Sequence, residues 1–387
     1  MIFRILEDQY AQKIREREDA DRRFMQLALT LGRRGLGRTW PNPAVGAVVV
    51  KDGIIVGRGW TQPGGRPHAE VEALRRAGEA ARGAMLYVTL EPCSHFGKSP
   101  PCADAVIAAG VSRVVSAIED PNPQVAGQGT AKLRAAGVSV ETGLCAREAA
   151  HDHAGHFRRI RDKRPHVILK LAISADDRIA AAGHQPVAIT GETARTRVHL
   201  LRAQCDAILV GIGTVLSDDP LLNCRLPGME ARSPVRVVLD SALRIRLDSR
   251  LLHSARHTPL WLMASETAEA ASAARLGAAG AQVIRLAPVA DVPGSPPGLD
   301  LKTVLHALSE RGITRLLVEG GSRVAAAFVA ADLADEIWLL RGPEPIGEGG
   351  VAALDALPLT AITQSPSFRL RVSETLEKDT LTSYERS

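Results

Sequence analysis

Three short segments of this 387-residue chain carry the side chains needed to hold a metal and move a proton. His68-Ala69-Glu70 leads into a helical stretch, Pro92-Cys93 follows a strand-like run, and Pro101-Cys102 opens another helical stretch. One imidazole and two thiolates supply three zinc ligands and leave a fourth position for water. Cys102 lies in the first turn of its helix, where free N–H groups and the helix dipole favour the thiolate over the thiol. Glu70 lies two residues past His68, close enough to exchange a proton with a metal-activated water without ligating. Read as structure alone, the same residues make a buried cysteine pair and an unremarkable helix-start glutamate. His95 would then offer a fourth ligand to a structural zinc.

A second group lies downstream. Val318-Glu319-Gly320-Gly321-Ser322 runs from an apolar strand into a helix, and Gly211-Ile212-Gly213-Thr214 also follows a strand. Glycines let a phosphate approach the backbone, and a helix start supplies N–H donors. The third glycine of a dinucleotide fingerprint is missing, so a nucleotide site and plain α/β turns stand level on these residues alone. Lys170 is an isolated cation in an apolar run, which calls for a partner or a function.

The elements that must position these residues fall into two β/α blocks. In the first, Phe24, Leu27, Ala28 and Leu31 give helical spacing from Asp21 to about Gly35. Residues 44–50 and 54–60 read as a hairpin about Asp52-Gly53. Helices are expected at 68–78 and 100–110, strands at 84–90 and 111–118, and a helix–strand pair to about Gly143. Residues 146–165 contain His151, His153, His156 and a basic run, and are expected as a solvated helix and linker rather than a metal site. Strands follow at 166–174, 207–215, 235–241, 260–264, 282–286, 315–321 and 336–341, alternating with alanine-rich helices in the manner of a largely parallel sheet. Residues 287–298, rich in Pro and Gly, are expected as an exposed loop. The domain limits read this way are an extension over 1–20, a first domain over 21–145, a linker over 146–165 and a second domain over 166–387.

Composition narrows the class further. With 45% hydrophobic and 24% charged residues, the chain is neither disordered nor a multi-span membrane protein. Aromatics make up 3%, and 48 basic residues face 43 acidic ones, a poor match to a nucleic-acid surface built on stacking rings and a strong basic face. Five cysteines, an odd number, argue for reduced thiols, and the N-terminus lacks an apolar leader segment, so a cytoplasmic location is expected.

The run PNPAVGAVVVKDG from Pro41, with HAEVEAL, YVTLEPCSHFGKSPPC and IEDPNPQVAGQG, resembles the deaminase half of bacterial riboflavin-biosynthesis RibD proteins. His-x-Glu followed by Pro-Cys is also the pattern of zinc nucleobase deaminases at large. Eight residues between Cys93 and Cys102, in place of two, set the RibD pattern apart. The segments 200–225 and 318–328 resemble the reductase half of the same proteins. The resemblance implies an α/β chain, a cytidine-deaminase-like α/β/α domain followed by a dihydrofolate-reductase-like α/β domain. It implies hydrolytic deamination of a phosphoribosylaminopyrimidine, then NADPH-dependent reduction of its ribosyl group to ribityl. Carried over by position, His68, Cys93 and Cys102 hold Zn2+, Glu70 shuttles the proton, and Asn42 meets the pyrimidine, with His95 and Lys98 as weaker phosphate contacts. In the second half, Arg202, Leu222, Arg225 and Glu319 correspond to substrate contacts. Ala172, Thr214, Asp218, Ser241, Gly321, Ser322, Arg323, Val324, Ala325, Ala326 and Ala327 correspond to NADPH contacts, with Asp218 a candidate proton relay.

The chain departs from the pattern at Pro186-Val187-Ala188, where the family carries Ser-x-Trp, and at Asp177, where a turn glycine is usual. An active deaminase with a weakened or non-catalytic reductase is therefore the alternative reading, and a nucleic-acid-editing deaminase a remote one. The expected partner is a phosphorylated pyrimidine, with neither nucleic acid nor membrane, and a homo-oligomer is compatible with it.

Overall fold

The computed structural model describes residues 2–185, 187–287 and 298–387. Pro186 and the centre of the Pro/Gly loop, 288–297, lie outside the described residues. The chain divides into two compact units, Met1–Asp162 and Lys163–Ser387.

Unit 1 begins with helix α1 (Ile2–Gly32), followed by strands β1 (Gly46–Lys51) and β2 (Ile54–Trp60). Then come α2 (Ala69–Ala77), β3 (Met85–Val88), α3 (Cys102–Ala108), β4 (Arg113–Ser116), α4 (Gln128–Ala135), β5 (Ser139–Thr142), α5 (Ala146–Asp152) and α6 (Ala154–Asp162). The sheet order is β2-β1-β3-β4-β5, antiparallel around β1 and parallel from β3 to β5. Asp52 (φ 50°) and Gly53 (φ 77°) make the tight turn between β1 and β2. Strand side chains alternate between two buried faces. Ala47, Val49, Leu86 and Val114 pack with α2 and α3, whereas Val48, Val50, Tyr87 and Val115 pack with Met25, Ala28 and Leu29 of α1. Three layers result, with helices on both sides.

Two expectations are corrected in this unit. The first helix begins at Ile2 rather than Asp21, so the extension and the helix are one element. Residues 146–162 are not a solvated connection but two packed helices. His153 and His156 are 2% and 8% exposed. His153 Nε2 lies 3.1 Å from the Thr89 carbonyl, and His156 Nε2 lies 3.0 Å from Asp120 Oδ1. Internal polar partners, invisible in a polar sequence, allow this burial.

Unit 2 contains β6 (His166–Ile173), β7 (Arg178–Ala180), α7 (Glu192–Ala203), β8 (Ala207–Gly211), α8 (Ile212–Asp218), β9 (Val235–Leu239), α9 (Arg250–His253) and β10 (Leu260–Ser265). It continues through α10 (Ala270–Ala278), β11 (Gln282–Leu286), α11 (Leu301–Glu310), β12 (Arg315–Val318), α12 (Ser322–Ala330), β13 (Glu336–Arg341), β14 (Val351–Ala352), α13 (Thr360–Thr363), β15 (Phe368–Leu376) and β16 (Asp379–Arg386). Nine strands run in the order β11-β10-β9-β8-β12-β6-β13-β16-β15. The first seven are parallel, and the β15–β16 hairpin closes the sheet antiparallel. Residues 207–215 were expected as one strand, but the strand stops at Gly211 and α8 starts at Ile212. Gly211 is extended (ψ 157°) and caps the helix, so its apolar residues belong to two elements.

Candidate active sites

Unit 1 gathers its candidate residues at the ends of three elements. His68 is the extended residue before α2, Glu70 lies in its first turn, Cys93 follows β3 and Cys102 begins α3. Helix α2 is seated directly on β2: a Cβ added at Gly59 would lie 2.2 Å from the Ala69 carbonyl oxygen. That close approach fixes where His68 and Glu70 begin. Cys93 is tied to α3 by Ala103 N–H donating to its carbonyl at 3.1 Å and Cys102 N–H donating to its sulfur at 3.3 Å.

His68 Nδ1 lies 3.2 Å from Cys102 Sγ and 3.8 Å from Cys93 Sγ, and all three donor atoms fall within 4.8 Å of one another. Tetrahedral zinc with ordinary bond lengths would place sulfur and nitrogen about 3.6 Å apart, so the donor set fits this metal. His95 does not join the cluster, which leaves three ligands rather than a closed structural set. Cys93, receiving hydrogen bonds from Cys102 and His68, is pulled down to about 4, while Cys102, donating to Cys93 and buried, is pushed well up. The N–H at the start of α3 serves the neighbouring sulfur rather than its own.

Glu70 is 3% exposed, and its Oε2 has no hydrogen-bond partner. Desolvation pushes its carboxyl up to about 7, against the opposing pull of His68. A buried carboxyl with an unused oxygen beside three metal donors is equipped to accept and return a proton. Asn42 Nδ2 donates to the Gly65 carbonyl at 2.8 Å and lies 3.3 Å from His68 Nε2. Gly65 has φ +84°, and a Cβ there would sit 2.8 Å from the Asn42 side chain.

Glu91, buried at the end of the β3 segment, was not singled out from sequence. Its carboxylate accepts from the backbone of Gly127 at 3.0 Å and Thr130 at 2.9 Å, joining the Cys93 turn to the loop before α4. Arg66 was also missed; its guanidinium donates to Ser99 Oγ in the loop that carries His95 and Lys98.

In unit 2 the candidates lie at the carboxyl ends of adjacent parallel strands, where ligands of open α/β sheets bind. Glu319, just after β12, accepts a two-pronged contact from Arg202 at 2.7 and 2.9 Å, and Lys170 Nζ stands 3.9 Å away. Burial pushes the Glu319 carboxyl up, but Arg202 and then Lys170 prevail and hold it at about 2. Burial pushes Lys170 down, opposed by Glu319. Arg202 also donates to the Asn223 carbonyl. Arg225 is exposed and contacts Asn223 Oδ1 at 3.3 Å, and Leu222 is buried with φ +52°. His199, unforeseen from sequence, accepts the Arg225 N–H at 3.4 Å.

Gly321 caps α12, and a Cβ there would lie 3.5 Å from Thr214 Oγ1 on α8, so the two glycine segments meet. Ser241 follows β9 at the same end of the sheet, and Ala172 is half-buried on β6. Within the 321–327 segment, Val324, Ala325 and Ala327 are buried in the unit, whereas Arg323 is exposed. Asp218 is exposed and accepts from Ser217 Oγ. Asp177 adopts φ +62° and pairs with Arg341 at 2.6 Å, and Ala188 is exposed.

The fold and these sites define a zinc-deaminase unit followed by a reductase-type α/β unit. The family model for the cytidine and deoxycytidylate deaminase zinc-binding region matches residues 18–118, and that for the RibD C-terminal domain matches 165–382. The chain belongs to the RibD family of riboflavin biosynthesis proteins. It is 39% identical over 368 residues to RibD of Aquifex aeolicus, covering 95% of this chain and 99% of the relative. It is 40% identical to RibD of Escherichia coli over 91% of this chain and 95% of that one. The structure of Acinetobacter baumannii RibD superposes with a TM-score of 0.83 at 36% identity, covering 96% of this chain and 99% of that one. A Thermotoga maritima protein described as a diaminohydroxyphosphoribosylaminopyrimidine deaminase/5-amino-6-(5-phosphoribosylamino)uracil reductase gives 0.82 at 34% identity, covering 96% and 100%.

Proposed function

We propose that the chain carries out two successive steps of riboflavin biosynthesis. Residues 21–145 would deaminate 2,5-diamino-6-(5-phosphoribosylamino)pyrimidin-4(3H)-one with water, releasing ammonia, and residues 166–387 would reduce the ribosyl group of the product with NADPH. The observation that carries the first step is the buried Glu70 carboxyl, with one oxygen unpartnered, beside the His68/Cys93/Cys102 donors.

His68 Nδ1, Cys93 Sγ and Cys102 Sγ would hold Zn2+, a Lewis acid that acidifies the attacking water. Glu70 takes a proton from that water and returns it to the departing amine, a cycle that a carboxyl poised near neutrality can run in both directions. Asn42, pinned by Gly65, presents its amide to the pyrimidine edge.

NADPH supplies hydride in the second unit. Thr214, Gly321 and Ser322, at two meeting helix starts, offer the backbone and hydroxyl donors that suit its phosphates. Arg225, exposed and with no carboxylate partner among the described residues, is the better phosphate contact. Arg202 is committed to Glu319 and fixes that carboxylate against the substrate. With alanine at 188, no ring covers the cofactor from this position, so the reductase is proposed as the weaker activity.

The partner is thus a phosphorylated pyrimidine rather than a nucleic acid. All five cysteines are unpaired, in keeping with a cytoplasmic enzyme, and among the described residues no helix is long and apolar enough to cross a membrane. A coupled assay of ammonia release and NADPH consumption, with zinc quantified in the same sample, tests both halves. A zinc-free protein that still releases ammonia would refute the first.

A further inference from the structure

The loop of eight residues between Cys93 and Cys102 has no acidic side chain, yet it bears Lys98 and His95 and is fastened by an arginine from another element. Arg66 precedes His68 by two residues, on the extended turn that leads into α2. Its Nη1 donates to Ser99 Oγ, and its Nη2 stands 3.6 Å from the position a Cβ would take on Gly97. The guanidinium therefore lies against the loop, on a side chain two residues before the metal donor His68. It is only half-buried, and among the described residues no carboxylate pairs with it. A guanidinium offers a planar fork of donors that matches carboxylate or phosphate oxygens. One prong of the fork holds the loop, and among the described residues its other N–H groups meet no acceptor.

We propose that Arg66 is a specificity-determining residue of the deaminase site, whose guanidinium binds the phosphomonoester of the substrate while holding the 94–101 loop beside it. This rests on the deaminase reading above. The chemistry recognised is a dianionic phosphate at the far end of the molecule from the amine that leaves. Arg66 acts on binding and orientation, not on the proton transfer, which stays with Glu70.

The test uses the zinc-loaded full chain as wild type, Arg66→Ala and Arg66→Lys, with ammonia release measured on the 5′-phosphorylated substrate and on its dephosphorylated riboside. Loss of a charge-assisted hydrogen bond corresponds to about a tenfold to hundredfold rise in KM. Arg66→Ala is expected to raise KM for the phosphorylated substrate by this factor with kcat within a few-fold. The preference of the enzyme for phosphorylated substrate over riboside should collapse accordingly. Arg66→Lys, which keeps the charge and loses the fork, should fall between. Inorganic phosphate should compete with the riboside in the wild type and less well in Arg66→Ala. Bound zinc and NADPH oxidation in each variant report that both units are intact. If Arg66→Ala loses kcat equally on both substrates, or leaves the preference unchanged, Arg66 is a loop fastener only and the proposal is overturned. A wild type that releases ammonia from neither substrate overturns the deaminase reading together with it.

Discussion

Glu319→Gln is the substitution whose consequence can be worked most fully. The replacement keeps the shape of the side chain but removes the only carboxylate that Arg202 and Lys170 share in the described contacts. Arg202 and Lys170 have side chains 12% and 16% exposed, so water can do little to compensate either cation. Losing one partner of a buried pair costs about 3–5 kcal/mol. The depressed carboxyl gives a similar figure. A fall from the usual 4.5 to about 2 corresponds to about 3 kcal/mol of preferential stabilisation of the charged form. Because the folded-state value lies below the unfolded one, this contribution is whole above about pH 4.5. It drains away as pH falls towards 2. For a unit of this size each kcal/mol moves Tm by about 2–4 °C, so the unit 2 transition should drop by about 6–20 °C at neutral pH. Differential scanning calorimetry of zinc-loaded protein would follow it, and the gap between wild type and variant should narrow as the pH is lowered through 4. NADPH oxidation should fall as well if, as proposed, the same carboxylate contacts the substrate. A Tm within 2 °C of wild type at pH 7, or a gap that widens in acid, would refute the reasoning.

Three further outcomes follow from the sites. Glu70→Gln should retain zinc while ammonia release falls by about 10²–10⁴, with NADPH oxidation on the already deaminated substrate unaffected. Gly65→Ala, forced to φ +84° with its Cβ 2.8 Å from Asn42, should cost about 1–2 kcal/mol and raise the deaminase KM about tenfold. Thermal melts and steady-state kinetics would register the two effects, and an unchanged KM would separate Asn42 from the substrate. Ala188→Trp, at an exposed position, should tighten NADPH by about tenfold to a hundredfold, and an unaltered KM for NADPH would dismiss the missing ring as a cause of weakness.

The metal donors were legible because their residue types and helix-start positions are unusual together, and the fold brings His68, Cys93 and Cys102 within 4.8 Å. The β1–β2 turn was legible because Asp-Gly accepts positive φ at both central positions. What escaped depends on partners far apart in the chain. That the Cys102 N–H at the start of α3 reaches the Cys93 sulfur rather than its own is set by the fold, and spacing is silent on that direction. The burial of α5 and α6 rests on Thr89 and Asp120, which neutralise the apparent hydrophilicity of His153 and His156. The β15–β16 hairpin was missed although Phe368, Leu370 and Val372 alternate with Arg369, Arg371 and Ser373 at strand period; what is unusual is that Leu370 and Val372 stay 60% and 41% exposed. The split at Gly211 is of the same kind, a continuous apolar run serving first a strand and then a helix.

The seating of α2 on β2 bears on how this pocket can be remade. Gly57, like Gly59, leaves no space for a Cβ beneath the helix, which would meet the Ala73 carbonyl oxygen at 2.2 Å. The first turn of α2, with Glu70, is thus placed by two absent side chains, and random mutagenesis at either glycine should yield almost only inactive clones. Libraries meant to admit a bulkier pyrimidine would be better spent on residues 94–99, where the chain is mostly solvent-facing and Phe96 is 78% exposed. With the roles proposed for Glu70 and the loop, substrate range and chemical competence become separable traits, one written on a loop and the other on the seating of a helix.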